Sequence, residues 1–397
     1  MIVATAFVML MTPAGLALFY GGMTRSKNML NTMAMSIGGY IVAGLVWVIC
    51  GFSIAFGSDV LGGVIGFDGL FLSNIAIGDL EGTIPKLLFV AFQMTFAGIT
   101  LAIISGSVIE RIKFGTWLIF GAIWIVVVYA PIAHWVWGGG FLGEKGVLDF
   151  AGGTVVHINS GVAGLVLAIM LGKRSDYGKV AIFPSSITFA MIGAILLWFG
   201  WFGFNGGSGL SADAIAANAL LVTNVAASTA AIGWLLVEYI MYKKITILGM
   251  ASGIVAGLVG ITPAAGFVDV FGASVIGLVA GVVAFYGVNK LKKVFKYDDS
   301  LDAFGIHGIA GIWGAIATGI FANPNINPDG KGLLYGNPFQ VWLQVESVIV
   351  TIIYTAVATA IVFKVVSLIT KGGKVKADEE QQGLDEAVHG ERAFNLR

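Results

Sequence analysis

The chain has 397 residues, of which 57% are hydrophobic and 11% charged, with 22 Lys and Arg against 22 Asp and Glu for a formal net charge of zero. Soluble domains carry about 25% charged residues, so this chain is too poor in charge to cover a water-facing surface. The even charge balance argues against a nucleic-acid partner, and no nucleophile–base set or metal-ligand spacing argues for an enzyme.

Apolar runs of about 20 residues read as membrane spans. They predict an all-α integral membrane protein with eleven helices, at 2–22, 29–56, 86–108, 114–136, 151–172, 181–203, 214–241, 248–263, 268–289, 301–321 and 338–370. The first run has no basic flank and no small-residue cleavage site, so it reads as a retained helix rather than a signal peptide. Cys50, the only cysteine, excludes an intrachain disulfide and reads as a small core residue. The 57 glycines suit helices that approach closely in lipid.

In helix three, Phe92 and Phe96 stand at i and i+4, on one face. Glu110 and Arg111 follow and read as a solvated or interhelical ion pair. Trp137 precedes three glycines after helix four. Asp149 comes just before helix five, where it suits a helix N-cap, a group stabilising a cation at the outer mouth, or both. His157 lies deep in helix five and His307 deep in helix ten. A titratable group in the bilayer interior marks a functional site by default. A packing role and a metal site are the alternatives, but zinc normally takes a third protein ligand and none stands nearby in sequence. The preferred reading is two neutral imidazoles that touch across a pore and are able to relay a proton. Helix six ends in Trp201-Phe-Gly-Phe204-Asn-Gly-Gly-Ser208. Such aromatics are commonly core or interfacial, but Trp faces near a mouth attract a cation, and a Ser hydroxyl accepts its N–H. Asp302 opens helix ten and reads as its cap.

His157-x3-Gly161-x2-Gly164 is echoed by His307-x3-Gly311-x2-Gly314, and Phe19-Tyr-Gly-Gly22 by Phe204-Asn-Gly-Gly207. Each pair is five helices apart. An odd offset gives two halves of opposite topology, the inverted repeat of many transporters, with helices 1–5 and 6–10 as the halves and the site near the midplane. Lys and Arg cluster in one set of loops and in the tail, which predicts a cytoplasmic C-terminus and an outside N-terminus.

Taken together, Phe19-Tyr-Gly-Gly-Met-Thr-Arg-Ser-Lys-Asn, His134-Trp-Val-Trp137-Gly-Gly-Gly, Asp149-Phe-Ala-Gly-Gly-Thr-Val-Val-His157-Ile-Asn, Trp201-Phe-Gly-Phe204-Asn and Asp302-Ala-Phe-Gly-Ile-His307-Gly resemble the ammonium transporter family (Amt/Mep/Rh). Trp137 favours the Amt branch of bacterial and archaeal type. The resemblance implies an outer ammonium-recruiting site at Trp137, Phe92 and Ser208 supported by Asp149. It implies a gate of Phe96 and Phe204, and a pore lined by His157, His307 and Trp201. It also implies a homotrimer in the cell membrane, a transmembrane domain over 1–371 and a cytoplasmic regulatory tail over 372–397. In that tail, the stretch carrying Gly383, Asp385, His389, Glu391 and Arg392 resembles the part on whose face PII-type signalling proteins dock; composition alone reads it as solvated or disordered. The expected function is transport of ammonium, with methylammonium as a further expected substrate and no cofactor. The cation is recruited, loses a proton and crosses as ammonia, with the proton passing separately. The rivals are a passive ammonia channel and an ammonium sensor signalling through the tail.

Overall fold

The computed structural model describes residues 1–394. Ten of the described helices are long and apolar enough to cross a membrane: α1 (Ile2–Met23), α2 (Ser26–Phe56), α3 (Lys86–Val108), α4 (Phe114–Glu144), α5 (Gly153–Leu171), α6 (Ile187–Gly207), α7 (Ala214–Tyr242), α9 (Val270–Phe295), α10 (Phe304–Phe321) and α11 (Phe339–Ile369). Between α7 and α9 lies α8 (Ile247–Ile261), apolar but only 15 residues long. At 1.5 Å per residue it is about 22 Å long, less than the ~30 Å hydrocarbon core. The protein is therefore a multi-pass helical membrane protein, with ten helices that meet the length and one that falls short. Two short helices follow, α12 (Ala377–Gln382) and α13 (Leu384–His389).

Most sequence boundaries hold within a few residues; the largest departures are the ends of α4 and α9 and both ends of α6. Helix α6 was expected over 181–203 and runs from Ile187 to Gly207. Ser186 accepts the Phe189 N–H at 3.2 Å, an N-cap that starts the helix late. The far end continues through Phe204 and two glycines. A two-stranded hairpin, β1 (Leu80–Glu81) and β2 (Ile84–Pro85), leads into α3 and was not foreseen.

In lipid the hydrophobic effect does not drive helices together, so packing falls to small residues and a few polar ties. Gln344 on α11 donates to the Leu148 carbonyl at 2.7 Å and the Ala315 carbonyl at 3.0 Å, and accepts the Leu148 N–H at 2.8 Å. One side chain thus joins α10, α11 and the lead-in to α5. Thr355 donates to Asn159 at 2.9 Å, a second tie between α11 and α5.

The two histidine-bearing helices are built alike. Each begins with a π-helical turn, Gly153–Ile158 in α5 and Phe304–Gly308 in α10, and each continues as a 13-residue α-helix. Each has a glycine four residues after its histidine. A Cβ on Gly161 would lie 2.5 Å from the Gly308 nitrogen, and one on Gly311 would lie 3.2 Å from the His157 Cβ. The glycine of each half makes room for the histidine turn of the other, as an inverted repeat requires.

Candidate functional site

The site is a line of aromatic and imidazole rings, open at one end to a vestibule of ≈ 350 Å³. Phe56, Phe89, Gln93, Phe96, Trp137 and Ser208 are among its walls. Helix α3 supplies Phe89, Gln93 and Phe96 from one face, at i, i+4 and i+7. Trp137 stands at the end of the helical run of α4, and its ring nitrogen donates to the Asp149 carbonyl at 2.8 Å. Ser208, just past the end of α6, donates to the Phe204 carbonyl at 2.8 Å. The remaining lone pairs of its hydroxyl are free to accept.

Phe92 does not stand in the vestibule wall. Its ring is fully buried, 4.8 Å from Phe96, and presses against Gly207. It backs Phe96, while Phe56 and Phe89 line the vestibule. The sequence reading places Phe92 and Phe96 on one face; that Phe89 rather than Phe92 lines the vestibule follows from the rotation of α3.

Asp149 is buried and faces the helix rather than the vestibule. Its carboxylate accepts the N–H groups of Gly152, Gly153, Thr154 and Val155 at 2.8, 2.6, 2.8 and 3.3 Å, together with the Thr154 hydroxyl. These are the donors that the first turn of a helix leaves unpaired. Asp149 thus fixes the start of α5 with its side chain and the Trp137 indole with its carbonyl.

Below the vestibule, Phe96 and Phe204 stack at 4.0 Å with 11° between their planes. That is van der Waals contact, which leaves no gap between the two rings. Trp137 meets Phe96 edge-on at 6.0 Å. Behind this ring pair, His157 stacks on Trp201 at 5.3 Å and lies 6.1 Å from Phe204. The Trp201 ring nitrogen donates to Thr262 at 2.9 Å, which fixes the indole. The Nδ1 atoms of His157 and His307 face each other at 3.2 Å. Only opposite protonation satisfies two neutral rings at that distance, one Nδ1 donating and the other accepting. His157 Nε2 is buried with no partner among the described residues. An orphaned polar atom so deep calls for a ligand or water.

At the far end from the vestibule, buried ion pairs join the loops. Glu110 accepts from Thr24 and Arg174 at 3.0 Å each and from the Arg25 Nε at 3.0 and 3.1 Å. Arg174 also pairs with Asp298 at 2.8 Å, and Arg111 pairs with Asp298 at 3.3 Å. The sequence expected Glu110 and Arg111 in one pair, solvated or interhelical. They are buried, they belong to one network, and they take different partners. Burial alone would raise the Glu110 carboxyl; hydrogen bonds from Arg25 and the charge of Arg174 outweigh it and hold the group at about 2.

Asp302 is not the cap of α10. Asp299 accepts the Ala303 and Phe304 N–H groups at 3.2 and 2.8 Å, whereas Asp302, at φ +60°, points to Lys292 at 2.5 Å. The tail is docked through a few anchoring residues, while many of its charged side chains stay exposed. Asp385 accepts the Leu30 and Asn31 N–H groups at 3.0 and 2.8 Å, at the start of α2. His389 Nε2 lies 3.0 Å from the Asn31 amide, and Gly383, at φ +110°, lies against Lys27. Glu391 donates its N–H to the Asp385 carbonyl at 3.2 Å, and Arg392 pairs with Glu386 at 3.0 Å.

A stacked aromatic pair above two touching histidines, within a bundle of membrane-spanning helices, is the arrangement of a multi-pass membrane protein with a ring-lined path at its centre. The chain belongs to the Ammonium Transporter Family, whose sequence pattern matches residues 1–394. It is 50% identical over 398 residues to an ammonium transporter of Aquifex aeolicus, covering 100% of this chain and 92% of that one. Among solved structures, Mep2 of Saccharomyces cerevisiae superposes with a TM-score of 0.85 at 36% identity, over 95% of this chain and 86% of that chain. A protein described as a sensor Amt protein superposes with a TM-score of 0.90 at 31% identity, over 98% of this chain and 96% of that chain.

Proposed function

We propose that this ammonium transporter recruits NH4+ in the vestibule, strips it of a proton at the gate and conducts NH3 past the twin histidines, while the proton crosses separately. The contact that carries this reading is the 3.2 Å approach of the two Nδ1 atoms directly behind a closed aromatic gate. Potassium has ammonium's charge and nearly its size, so a polar hole would pass both. Dehydrating either ion in an apolar passage is costly. Ammonium escapes that cost by losing a proton, and potassium has none to lose.

Trp137 and Phe96 offer ring faces to the cation, and Ser208 accepts an N–H. Phe92 supports this site from behind, and Asp149 supports it through Trp137. Phe96 and Phe204 then part to admit the neutral molecule. Trp201, His157 and His307 line the descent, with the proton moving between the paired Nδ1 atoms. In this reading the vestibule faces outward with the N-terminus, residues 1–371 form the transport domain and 372–397 the cytoplasmic tail. The protein assembles as a homotrimer, accepts methylammonium, and meets a PII-type protein at the face that carries the tail.

The test is an ammonium pulse on purified protein in a solid-supported membrane, with potassium as control and internal pH followed in liposomes. A current for ammonium and none for potassium is expected. An internal pH rise without current would replace the relay with passive ammonia conduction. Sensing is the second reading, favoured by the docked tail and the likeness to the sensor Amt protein. Deleting residues 372–397 separates the two: a transporter keeps its flux, and a sensor loses its signalling output.

A further inference from the structure

One buried histidine at the vestibule end has no part in the site described above. His134 lies one turn before Trp137 on α4, and its ring is fully buried. Its Nδ1 is 3.1 Å from the Ala55 carbonyl near the end of α2. A carbonyl oxygen only accepts, so Nδ1 carries the proton of the neutral ring. Nε2 is then a bare lone pair, and it faces the Asp59 carboxylate at 3.5 Å without a hydrogen bond. Two acceptors confront each other there. A buried acceptor left unpaired is costly. A proton on Nε2 removes that cost, because the ring then donates from both nitrogens, to Ala55 and to Asp59. The Asp59 carboxylate also accepts the Gly63 and Leu61 N–H groups at 2.8 and 3.3 Å, and the bond from Gly63 above all holds it below the ordinary carboxylate range. Its side chain is 38% exposed, which gives protons from solution access to the pair. Among the described residues no other acid lies within 4 Å of the ring nitrogens, and no Lys or Arg pairs with Asp59. Lys145, farther along the chain, pairs with Glu346, and the Asp149 carboxylate is taken up by the start of α5.

The pair reaches Trp137 through the backbone. The His134 carbonyl accepts the Gly138 and Gly140 N–H groups at 3.0 and 2.9 Å, which fixes the turn immediately after Trp137. The loop that carries Asp59 is tied to the same stretch. Trp135 donates its ring N–H to the Val64 carbonyl at 2.8 Å, and Phe141 donates its backbone N–H to the Gly63 carbonyl at 3.2 Å. The joint has no slack, since a Cβ on Gly138 would lie 1.8 Å from the Ala55 oxygen and 2.8 Å from His134 Nδ1. We infer that His134 and Asp59 form a proton-controlled clasp that positions Trp137: the protonated ring ties the 57–66 loop to the end of α4, and the neutral ring loosens it. His134 is thus a positioning residue, and the inference rests on the transport reading for its functional consequence. That consequence is a response to pH on the side to which the vestibule opens, in the interval between pH 5 and 8 where imidazoles change charge.

The test follows imidazole and indole signals by NMR in the full chain, labelled at His and Trp, with H134Q and W137F serving only to assign them. The His134 signal is expected to titrate between pH 5 and 8, and the Trp137 indole signal to shift with the same midpoint. D59N keeps an oxygen for the Gly63 N–H and removes the charge, so both steps should leave that interval. At pH 8, where the clasp is open in either protein, D59N should melt as wild type does. In liposomes, the half-saturating ammonium concentration of wild type should rise about two- to fivefold as the pH bathing the vestibule is raised through the same midpoint, the loss of one charge-assisted hydrogen bond felt in part at the site. D59N should show no such step. A His134 ring that does not titrate in this interval, a titration that D59N leaves unchanged, or a Trp137 signal that stays flat while His134 titrates overturns the clasp. A wild-type protein with no ammonium-evoked signal overturns the transport reading instead, and the NMR titration still decides the clasp.

Discussion

Replacing Glu110 with Gln keeps the side chain's shape and removes its charge, leaving Arg25 and Arg174 facing a neutral amide. The structure sets the magnitude. The folded carboxyl titrates at about 2 against an ordinary value of 4.5. At 1.36 kcal/mol per unit, that difference corresponds to about 3 kcal/mol of stability. The figure agrees with the 3–5 kcal/mol typical of breaking a buried ion pair by removing one partner. The folded-state value is depressed, so the contribution is complete above the ordinary carboxyl value and is lost as pH falls through about 2. At pH 7, E110Q should therefore be less stable by about 3 kcal/mol, which lowers the thermal midpoint by about 3–6 °C in a chain of this length. The assay is tryptophan-fluorescence melting of the detergent-solubilised protein, stepped down from pH 7. The two proteins should converge below pH 4.5, as the wild type loses what the variant never had. A variant within about 1 °C of wild type at pH 7, or a gap that does not narrow with acid, would refute the assignment of Glu110 as the charge that holds these loops together.

Replacing His157 or His307 with Leu should cut the ammonium-evoked current by about 100-fold, the scale of a lost acid–base partner; an undiminished current with intact selectivity would sink the relay. Phe204→Ala removes half of a 4.0 Å ring stack and should admit measurable potassium flux, read in potassium-loaded liposomes. Continued exclusion of potassium by that variant would move the gate elsewhere. Asp149→Ala strips four backbone N–H groups of their acceptor and should destabilise the protein by about 1–3 kcal/mol or more. Asp149→Asn keeps acceptor capacity and should lose less, as measured by the melting midpoint.

How far the sequence reached depended on what kind of information each feature needed. Spans were legible because lipid demands long apolar helices, and the Phe96–Phe204 stack and the His157–His307 contact because aromatic and titratable residues stand out in such runs. The repeat was legible because glycine spacing after each histidine records a close approach. Features set by long-range contacts were not. The start of α6 depended on whether Ser186 or an earlier residue caps it, and the partner of Glu110 lay on loops 64 to 85 residues away. Asp299 and Asp302 both precede α10, and only the backbone turn at Asp302 decides which one caps. The vestibule role of Phe89 turned on a helix rotation that spacing alone leaves open.

The repeat also bears on how a proton would cross. The two halves place equivalent histidines on equivalent π-helical turns, and their Nδ1 atoms meet at 3.2 Å. Geometric equivalence cannot extend to the protons. Two Nδ1–H groups would collide, and two bare Nδ1 atoms would repel, so at each instant one ring donates and the other accepts. There are two such arrangements, one with each ring as the donor. Moving one proton across the contact, with one Nε2 taking up a proton and the other releasing one, exchanges them. Trp201 fixes one ring by stacking, while the orphaned Nε2 of His157 offers the site where a proton is delivered. On the relay reading, an acidic residue at one position preserves a donor–acceptor line, and an apolar residue breaks it. The relay therefore predicts that His157→Glu retains more current than His157→Leu, although neither side chain restores the imidazole pair.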